Sequence, residues 1–259
     1  QGWKIRVNTP GYTKVEARLV QKGKTVTTGD DMIYAVKMNT EDISGTCAVA
    51  DTTGVFAAYL RSQGIQVTPY QNGRPKADFM LVGAFEPTQF GSGVSDILEW
   101  VYTGHTLVIV DNPERWADLL CDKEVMDYRG AKVLGRSWYG GNFFCRQHPV
   151  FAGLPTDCVF NWEYQCFAAY NRRRVGLRDM RGEVLVGCVS DHRKEVFSAL
   201  SEIPAGRGRI LITTLDIPAC LKGSVAYGKK VDLDGMNESM NTFNQGMNKA
   251  DAVGRQLLL

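Results

Sequence analysis

Histidine is scarce in this 259-residue chain, with three in all, and none of the seven cysteines falls in a C-x-x-C pair. An odd cysteine count without paired spacing argues against a disulfide framework and against a structural zinc site. The histidines show no ligand-like spacing either, so neither a metal nor a cofactor is expected. No apolar run approaches the ~20 residues that a membrane-spanning helix needs, so no membrane is expected as a partner. Lys and Arg number 30 against 28 for Asp and Glu, a net charge of +2. That is too little to draw in nucleic acid or an anionic surface, and no nucleic-acid partner is expected. There is no internal repeat and no low-complexity tract. The chain opens at Gln1-Gly2 without a methionine and closes on "GRQLLL", from which we expect a piece of a larger protein.

What is present is ordinary globular composition, 44% hydrophobic and 22% charged, enough for one large domain with an appendage. Residues 1–38 alternate apolar and polar side chains in "KVEARLVQKG" and "KTVTTGDDMIYAVKM", with Lys22-Gly23-Lys24 between them. That is the pattern of a β-hairpin, which is marginal alone and must pack on something. From Ile43 the pattern becomes strand, helix, strand. "GTCAVA", "IQVTPY", "ADFMLVGA" and "HTLVIVDN" read as strands. Helices fall between them: one carries Val55, Phe56, Tyr59 and Leu60 and stops at Gly64, and the other runs from Val94 to Tyr102 and stops at Gly104. A short helix, "ERWADLLC", follows the last of those strands. Such alternation predicts βαβ units and a mainly parallel central sheet, with "GTCAVA", "FMLVG" and "TLVIV" as adjacent inner strands. Further on, "AKVLGR", "VFNWEYQCFAAY", "EVLVGCVS" and "GRILITTLD" read as strands, 222–238 as a long loop, and Phe243, Met247, Ala250, Val253 and Leu257 as one face of a final helix.

Parallel α/β sheets bind ligands at the carboxyl ends of their strands. Asp51 and Thr52, with Thr53, stand at such an end, where they could hold a polar ligand at a helix N-terminus or simply cap the helix. No G-x-G-x-x-G follows that strand, so a dinucleotide site is not expected. In "YGGNFFCRQHPVFAGLP", His148 would need a thiol or hydroxyl to activate and a carboxylate to orient it. Cys145 is close in sequence, and Glu163 of "NWEYQ" could approach in space. The competing reading makes His148-Pro149 the start of an extended segment and Gly153-Leu154-Pro155 a turn. Asp191-His192 is a second acid–histidine pair at a strand end. "NRRRVGLRDMRGE" gathers Arg172, Arg173, Arg174, Arg178 and Arg181, which could bind phosphate or an acidic glycan but reads first as a solvated loop or a domain contact.

"HPVFAGLP", then "NWEYQ", then "SEIPAGRGRILITTLDI" resemble the class I glutamine amidotransferase-like domain found near the C-terminus of many bacterial glycoside hydrolases. The pattern is most like the accessory domains of glycoside hydrolase family 2 proteins from gut Bacteroidetes. "HPVFAGLP" is also similar to ThuA-like proteins and to the β-galactosidase trimerisation domain. The resemblance covers roughly residues 40–259, while residues 1–38 are similar to the end of a preceding β-sandwich domain. It implies a domain division at 1–38 and 39–259, and an α/β fold, a flavodoxin-like three-layer sandwich with an N-terminal β-hairpin or β-sandwich remnant. It also implies a periplasmic or extracellular location and, as partners, catalytic and β-sandwich domains of the same polypeptide, with a homo-oligomer and carbohydrate as further options. In amidotransferases the nucleophile follows a central strand on a tight turn. Here "HTLVIV" is followed by Asp111-Asn112-Pro113, with neither Cys nor Ser. The expected function is therefore a non-catalytic accessory domain. The alternatives are a hydrolase using His148 or His192, and a carbohydrate-binding module in which Trp138, Tyr139 and Phe143 stack on sugars.

Overall fold

The computed structural model describes residues 6–37, 43–133, 143–160, 162–167, 175–178, 181–189, 195–222 and 251–259. Asp191, His192, Trp138, Tyr139, Arg172, Arg173 and Arg174 lie outside them, as do the expected loop at 222–238, apart from Lys222, and the first half of the expected final helix.

Alternation of side chains builds an antiparallel ribbon from β1 (Gly11–Gln21) and β2 (Lys24–Ala35). Lys22 and Gly23 both take positive φ, 50° and 75°, as a two-residue hairpin turn demands. The ribbon does not join the main sheet. At its base the Tyr12 and Tyr34 rings meet edge to face, with centroids 4.8 Å apart, and the Tyr34 hydroxyl donates to the Gly153 carbonyl at 2.5 Å.

The main sheet starts at β3 (Thr46–Ala50), followed by α1 (Val55–Ser62), β4 (Gln66–Pro69), β5 (Phe79–Val82), α2 (Gly93–Tyr102), β6 (Thr106–Ile109) and α3 (Pro113–Asp122). Strands β3, β5 and β6 are adjacent inner strands, as their apolar sequences predict. Cys47 and Val49 of β3 enter one core cluster, and Ala48 and Ala50 enter another on the opposite face. α1 places Phe56 and Leu60 in the first cluster, while α2 and α3 place Ile97, Val101, Trp116 and Leu120 in the second. The helices stop where expected, at Gly64 and Gly104, whose φ values of 84° and 120° suit glycine.

Beyond α3 come the short strands β7 (Ala131–Val133), β8 (Phe143–Cys145), β9 (Cys158–Val159) and β10 (Val175–Leu177). Then follow β11 (Glu183–Val189), β12 (Val196–Ala205), β13 (Gly208–Thr213), α4 (Ile217–Lys222) and α5 (Asp251–Leu258). The eleven-stranded sheet runs β4-β3-β5-β6-β13-β12-β11-β8-β9, with β10 pairing β12 and β7. Strands β4, β3, β5, β6 and β13 are mutually parallel and follow the order second, first, third, fourth, fifth. From β12 onward every pairing is antiparallel. The sheet is therefore mixed, parallel over β4, β3, β5, β6 and β13 and antiparallel beyond them. The change comes at β12–β13, where the turn Gly206-Arg207 is too short for any but an antiparallel return.

Two local readings need correction. Among the described residues of "VFNWEYQCFAAY" only Val159 lies in a strand, the end of Cys158–Val159, and Trp162–Phe167 winds into a 3-10 turn. That winding stacks the Phe160 and Tyr164 rings 4.2 Å apart and buries Phe167 with them, which alternation across a strand would not allow. Strand β12 escapes the sequence pattern because Ser198, Ser201, Glu202 and Pro204 break its apolar run. Ser198 and Ser201 are buried and bond each other at 2.5 Å, so their hydroxyls are satisfied inside the core. Among the described residues no helix is long and apolar enough to cross a membrane.

Gly208 starts β13 against the end of α2, and a Cβ there would lie 2.1 Å from the Val101 carbonyl oxygen and 2.2 Å from that of His105. Backbone on both sides cannot yield as a side chain could. Gly208→Ala is expected to destabilise the protein by about 3 kcal/mol or more in urea denaturation. Gly29→Ala, in the ribbon with nothing within 4 Å, is the control and should shift stability by less than about 0.5 kcal/mol.

Candidate functional site

Strand β6 delivers Asp111 and Asn112 to the start of α3. Asn112 adopts the left-handed conformation at φ 49°, ψ 41°, its amide donates to Asp111 Oδ1 at 2.8 Å, and Pro113 opens the helix. Asn tolerates this region better than most residues with a Cβ. This is the strand–turn–helix position after "HTLVIV" at which the sequence resemblance led us to look for a nucleophile. A cleft of about 200 Å³ opens beside it, at the carboxyl ends of β6 and β13, and carries Asp111, Asn112, Glu114, Thr214 and Asp216 on its walls. Among the described residues no thiol, serine or imidazole lines it. The threonine hydroxyls already donate to the Ala199 carbonyl, at 2.8 Å from Thr213 and 3.4 Å from Thr214. Asp216 accepts from the Ala219 amide at 3.2 Å, at the start of α4. Asp216 was missed in the sequence, although the strand-end rule that singled out Asp51 applies equally to the end of "GRILITTLD".

At the end of β3, Asp51 ties three pieces of backbone together. Its Oδ1 accepts from the Thr53 and Ala84 amides at 3.1 and 3.3 Å, and its Oδ2 from the Phe56 amide at 3.2 Å. Thr52 donates its hydroxyl to the Ala84 carbonyl at 2.7 Å. The N-cap of α1 is Gly54, not one of the three residues before it, and Asp51 reaches the first turn from outside the helix.

His148 and Glu163 do not meet. His148 Nδ1 accepts from the Val150 amide at 3.3 Å, capping the 3-10 turn Pro149–Phe151, and its Nε2 stands 3.8 Å from Glu202. Glu202 in turn lies directly across the β11–β12 pair from Glu183. Like charges facing each other across strands repel, and the repulsion is answered by cations. Arg146 pairs with Glu183 at 3.1 Å, and Arg209 with Glu202 at 3.6 Å. Glu163 instead accepts a hydrogen bond from Tyr12 of the ribbon. Loss of water around the Tyr12 hydroxyl and then this bond hold its pKa well above the ordinary tyrosine range. Of the arginine-rich stretch, Arg178 pairs with Glu195 at 3.6 Å and lies over the Phe197 ring.

Cys145 is not joined to His148. Its sulfur contacts the Pro155 carbonyl at 3.5 Å and the Cys158 sulfur at 3.9 Å. Burial pushes the thiols of Cys47 and Cys188 up to about 12. Cys158 is also pushed up to about 12, by burial first and then by the neighbouring Cys145. Phe143 is 2% exposed and offers no face to a sugar.

A second recess, of about 470 Å³, lies over the opposite face of β5, β6 and β13. Phe79, Val108 and Leu211 form its floor, and Val150 and Leu258 stand in its walls. It is mostly apolar. Arg209 and Thr106 mark one end, bonded to each other at 3.3 Å. Among the described residues no group of three or more His, Cys, Asp or Glu is arranged to hold a metal ion.

No family model matches the chain, and no curated protein does. Among solved structures it is similar to the exo-beta-1,4-mannosidase Op5Man5 from Opitutaceae bacterium strain TAV5, a glycoside hydrolase, with a TM-score of 0.40 and 11% identity. The likeness covers 75% of this chain and 29% of that one, so the chain spans well under a third of the mannosidase's length.

A thiol is nucleophilic only as thiolate, and a raised pKa leaves little thiolate at neutral pH. Iodoacetamide should therefore alkylate Cys47, Cys158 and Cys188 of the folded protein slowly at neutral pH, with the Cys158 rate rising roughly tenfold per pH unit under alkaline conditions. Rapid modification of any of these three at neutral pH would contradict this.

Proposed function

We propose that this chain is a non-catalytic accessory domain of a multidomain glycoside hydrolase, of the class I amidotransferase-like type with a flavodoxin-like sheet. The observation that carries the reading is the turn after β6: a left-handed Asn112 stands between strand and helix where a nucleophile would have to be. The parallel-strand order is the one that flavodoxin-like folds use, with helices reaching both faces. An elbow without a thiol or hydroxyl cannot form the acyl intermediate of glutamine hydrolysis. The carboxylate pair of a glycosidase belongs, in this reading, to a barrel elsewhere in the polypeptide. The domain then works through its surface, by contacts with the catalytic and β-sandwich domains of the same chain or with further copies, outside the cytoplasm.

One observation favours a second reading, a ThuA-like hydrolase. His148 has a carboxylate, Glu202, within 3.8 Å of its Nε2. Its other nitrogen is taken by the Val150 amide, however, and its partner carboxylate is shared with Arg209. A base in that position needs one nitrogen for the orienting acid and one for the nucleophile.

The purified chain is expected to turn over neither p-nitrophenyl glycosides nor glutamine. The screen is repeated with His148→Ala, Glu202→Gln and His192→Ala. Turnover that any of these abolishes would overturn the accessory-domain reading and place the chemistry at that residue.

A further inference from the structure

Strands β8 and β9 place Cys145 directly opposite Cys158 in an antiparallel pair, with the two sulfurs 3.9 Å apart. Residues opposed in this way have Cα atoms about 4.5–5.5 Å apart. That falls inside the roughly 4.4–6.8 Å range that a disulfide requires. Bond formation needs the sulfurs to close to about 2.05 Å, a distance that rotation about the two Cα–Cβ bonds can cover without moving the strands. Four of the other placed thiols contact backbone rather than a second sulfur. Cys47, Cys188 and Cys220 each direct the sulfur to a backbone carbonyl at 3.6 Å, and Cys121 does so at 3.9 Å. An odd cysteine count argues against a framework of bridges, but it leaves room for one.

We propose that Cys145 and Cys158 form a redox-active pair that closes into a disulfide by exchange with a small-molecule disulfide, fastening the loop of residues 146–157 at its base. Cys158 is partly exposed and Cys145 is 3% exposed, which sets the order of events. The Cys158 thiolate attacks the external disulfide, forming a mixed disulfide and expelling one small thiolate, which takes up a proton. The Cys145 thiolate then attacks the Cys158 sulfur, expelling the second small thiolate. Two protein thiols are oxidised, one external disulfide is reduced to two thiols, and the protons leave on those thiols. The raised Cys158 pKa makes the first step slow at neutral pH and faster in mildly alkaline solution. The loop so fastened carries His148 and Asp157, forms part of the wall of the apolar recess through Pro149, Val150 and Ala152, and receives the Tyr34 hydroxyl of the ribbon at Gly153. The bridge would therefore tie the ribbon's docking point and the recess wall to the sheet with one bond.

The proposal does not depend on the accessory-domain reading. Its test uses the native chain, fully reduced, freed of reductant and incubated with oxidised glutathione at mildly alkaline pH. After denaturation, alkylation should count five free thiols in place of the seven cysteines of the sequence. The intact mass should fall by about 2 Da, the two hydrogens lost on oxidation. Digestion with trypsin and chymotrypsin, which cut after Arg146 and between Cys158 and Cys166, should yield one linked peptide pair holding Cys145 and Cys158. Cys145→Ser should instead keep glutathione on Cys158, a gain of about 305 Da, because the resolving thiol is gone. The wild-type digest decides the matter even if that variant does not fold. Seven alkylatable thiols, a lasting glutathione adduct on the wild-type chain, or a link between any other two cysteines would each overturn the proposal.

Discussion

The parallel pairing of β13 with β6 is the contact on which the rest of this fold depends. It joins the βαβ half of the chain to the antiparallel half, and its register decides what each face of the sheet becomes. Thr106, Leu107, Val108 and Ile109 lie opposite Phe79, Met80, Leu81 and Val82 on one side. On the other they lie opposite Arg209, Ile210, Leu211 and Ile212. Met80, Val82, Leu107, Ile109, Ile210 and Ile212 thus form one continuous buried row under α2 and α3. Phe79, Val108 and Leu211 face the other way and are only partly covered. A slip of one residue would exchange the two rows, exposing Ile210 and Ile212 and burying Arg209 without a counter-ion. The register is therefore held by hydrophobic burial on one face and by charge on the other.

The same pairing has a cost that the antiparallel half absorbs. With β13 held against β6, β12 must return beside it, and Glu202 comes to rest opposite Glu183. Arg146, Arg209 and His148 converge on these two carboxylates. A histidine beside a carboxylate suggests catalysis in a sequence, yet here the carboxylate is one of a repelling pair and the imidazole has a second task as the cap of a 3-10 turn. The arginines balance the two carboxylates, and the cap accounts for where the imidazole stands.

What could be read in the sequence follows the range of the interactions involved. Strands β3, β5 and β6 were legible because burial on both faces leaves unbroken apolar runs, and α1 and α2 because their stops are glycines at positive φ. The ribbon was legible from alternation and from Lys22-Gly23. Strand β12 was not, since its serines satisfy each other only once the strand is formed, and Trp162–Phe167 was not, since aromatic stacking overrides β propensity there. The site shows the same division. Asp51 acts on residues two and five positions ahead, within reach of a capping argument, whereas His148–Glu202 and Tyr12–Glu163 join distant segments that no spacing rule connects. The Cys145–Cys158 contact was hidden for a related reason: it needs the register of two very short strands, neither of which has a sequence signature.

The turn after β6 separates geometry from chemistry. Val110, Asp111 and Asn112 alone connect the last paired residue of β6 to the first of α3, and a link so short must reverse direction sharply. A left-handed residue is the economical way to do so, and Asn is well suited to it. Asp111 then accepts the Asn112 amide, and Pro113 supplies the φ that a helix start prefers. All three requirements are conformational, and none of them calls for a reactive group. The elbow is thus what any strand must make when a helix follows it this closely, and its presence in a fold says only where a nucleophile could be exposed. Whether one acts there depends on the single side chain at the left-handed position, which in this chain is a carboxamide that can donate and accept hydrogen bonds but cannot carry an acyl group through hydrolysis.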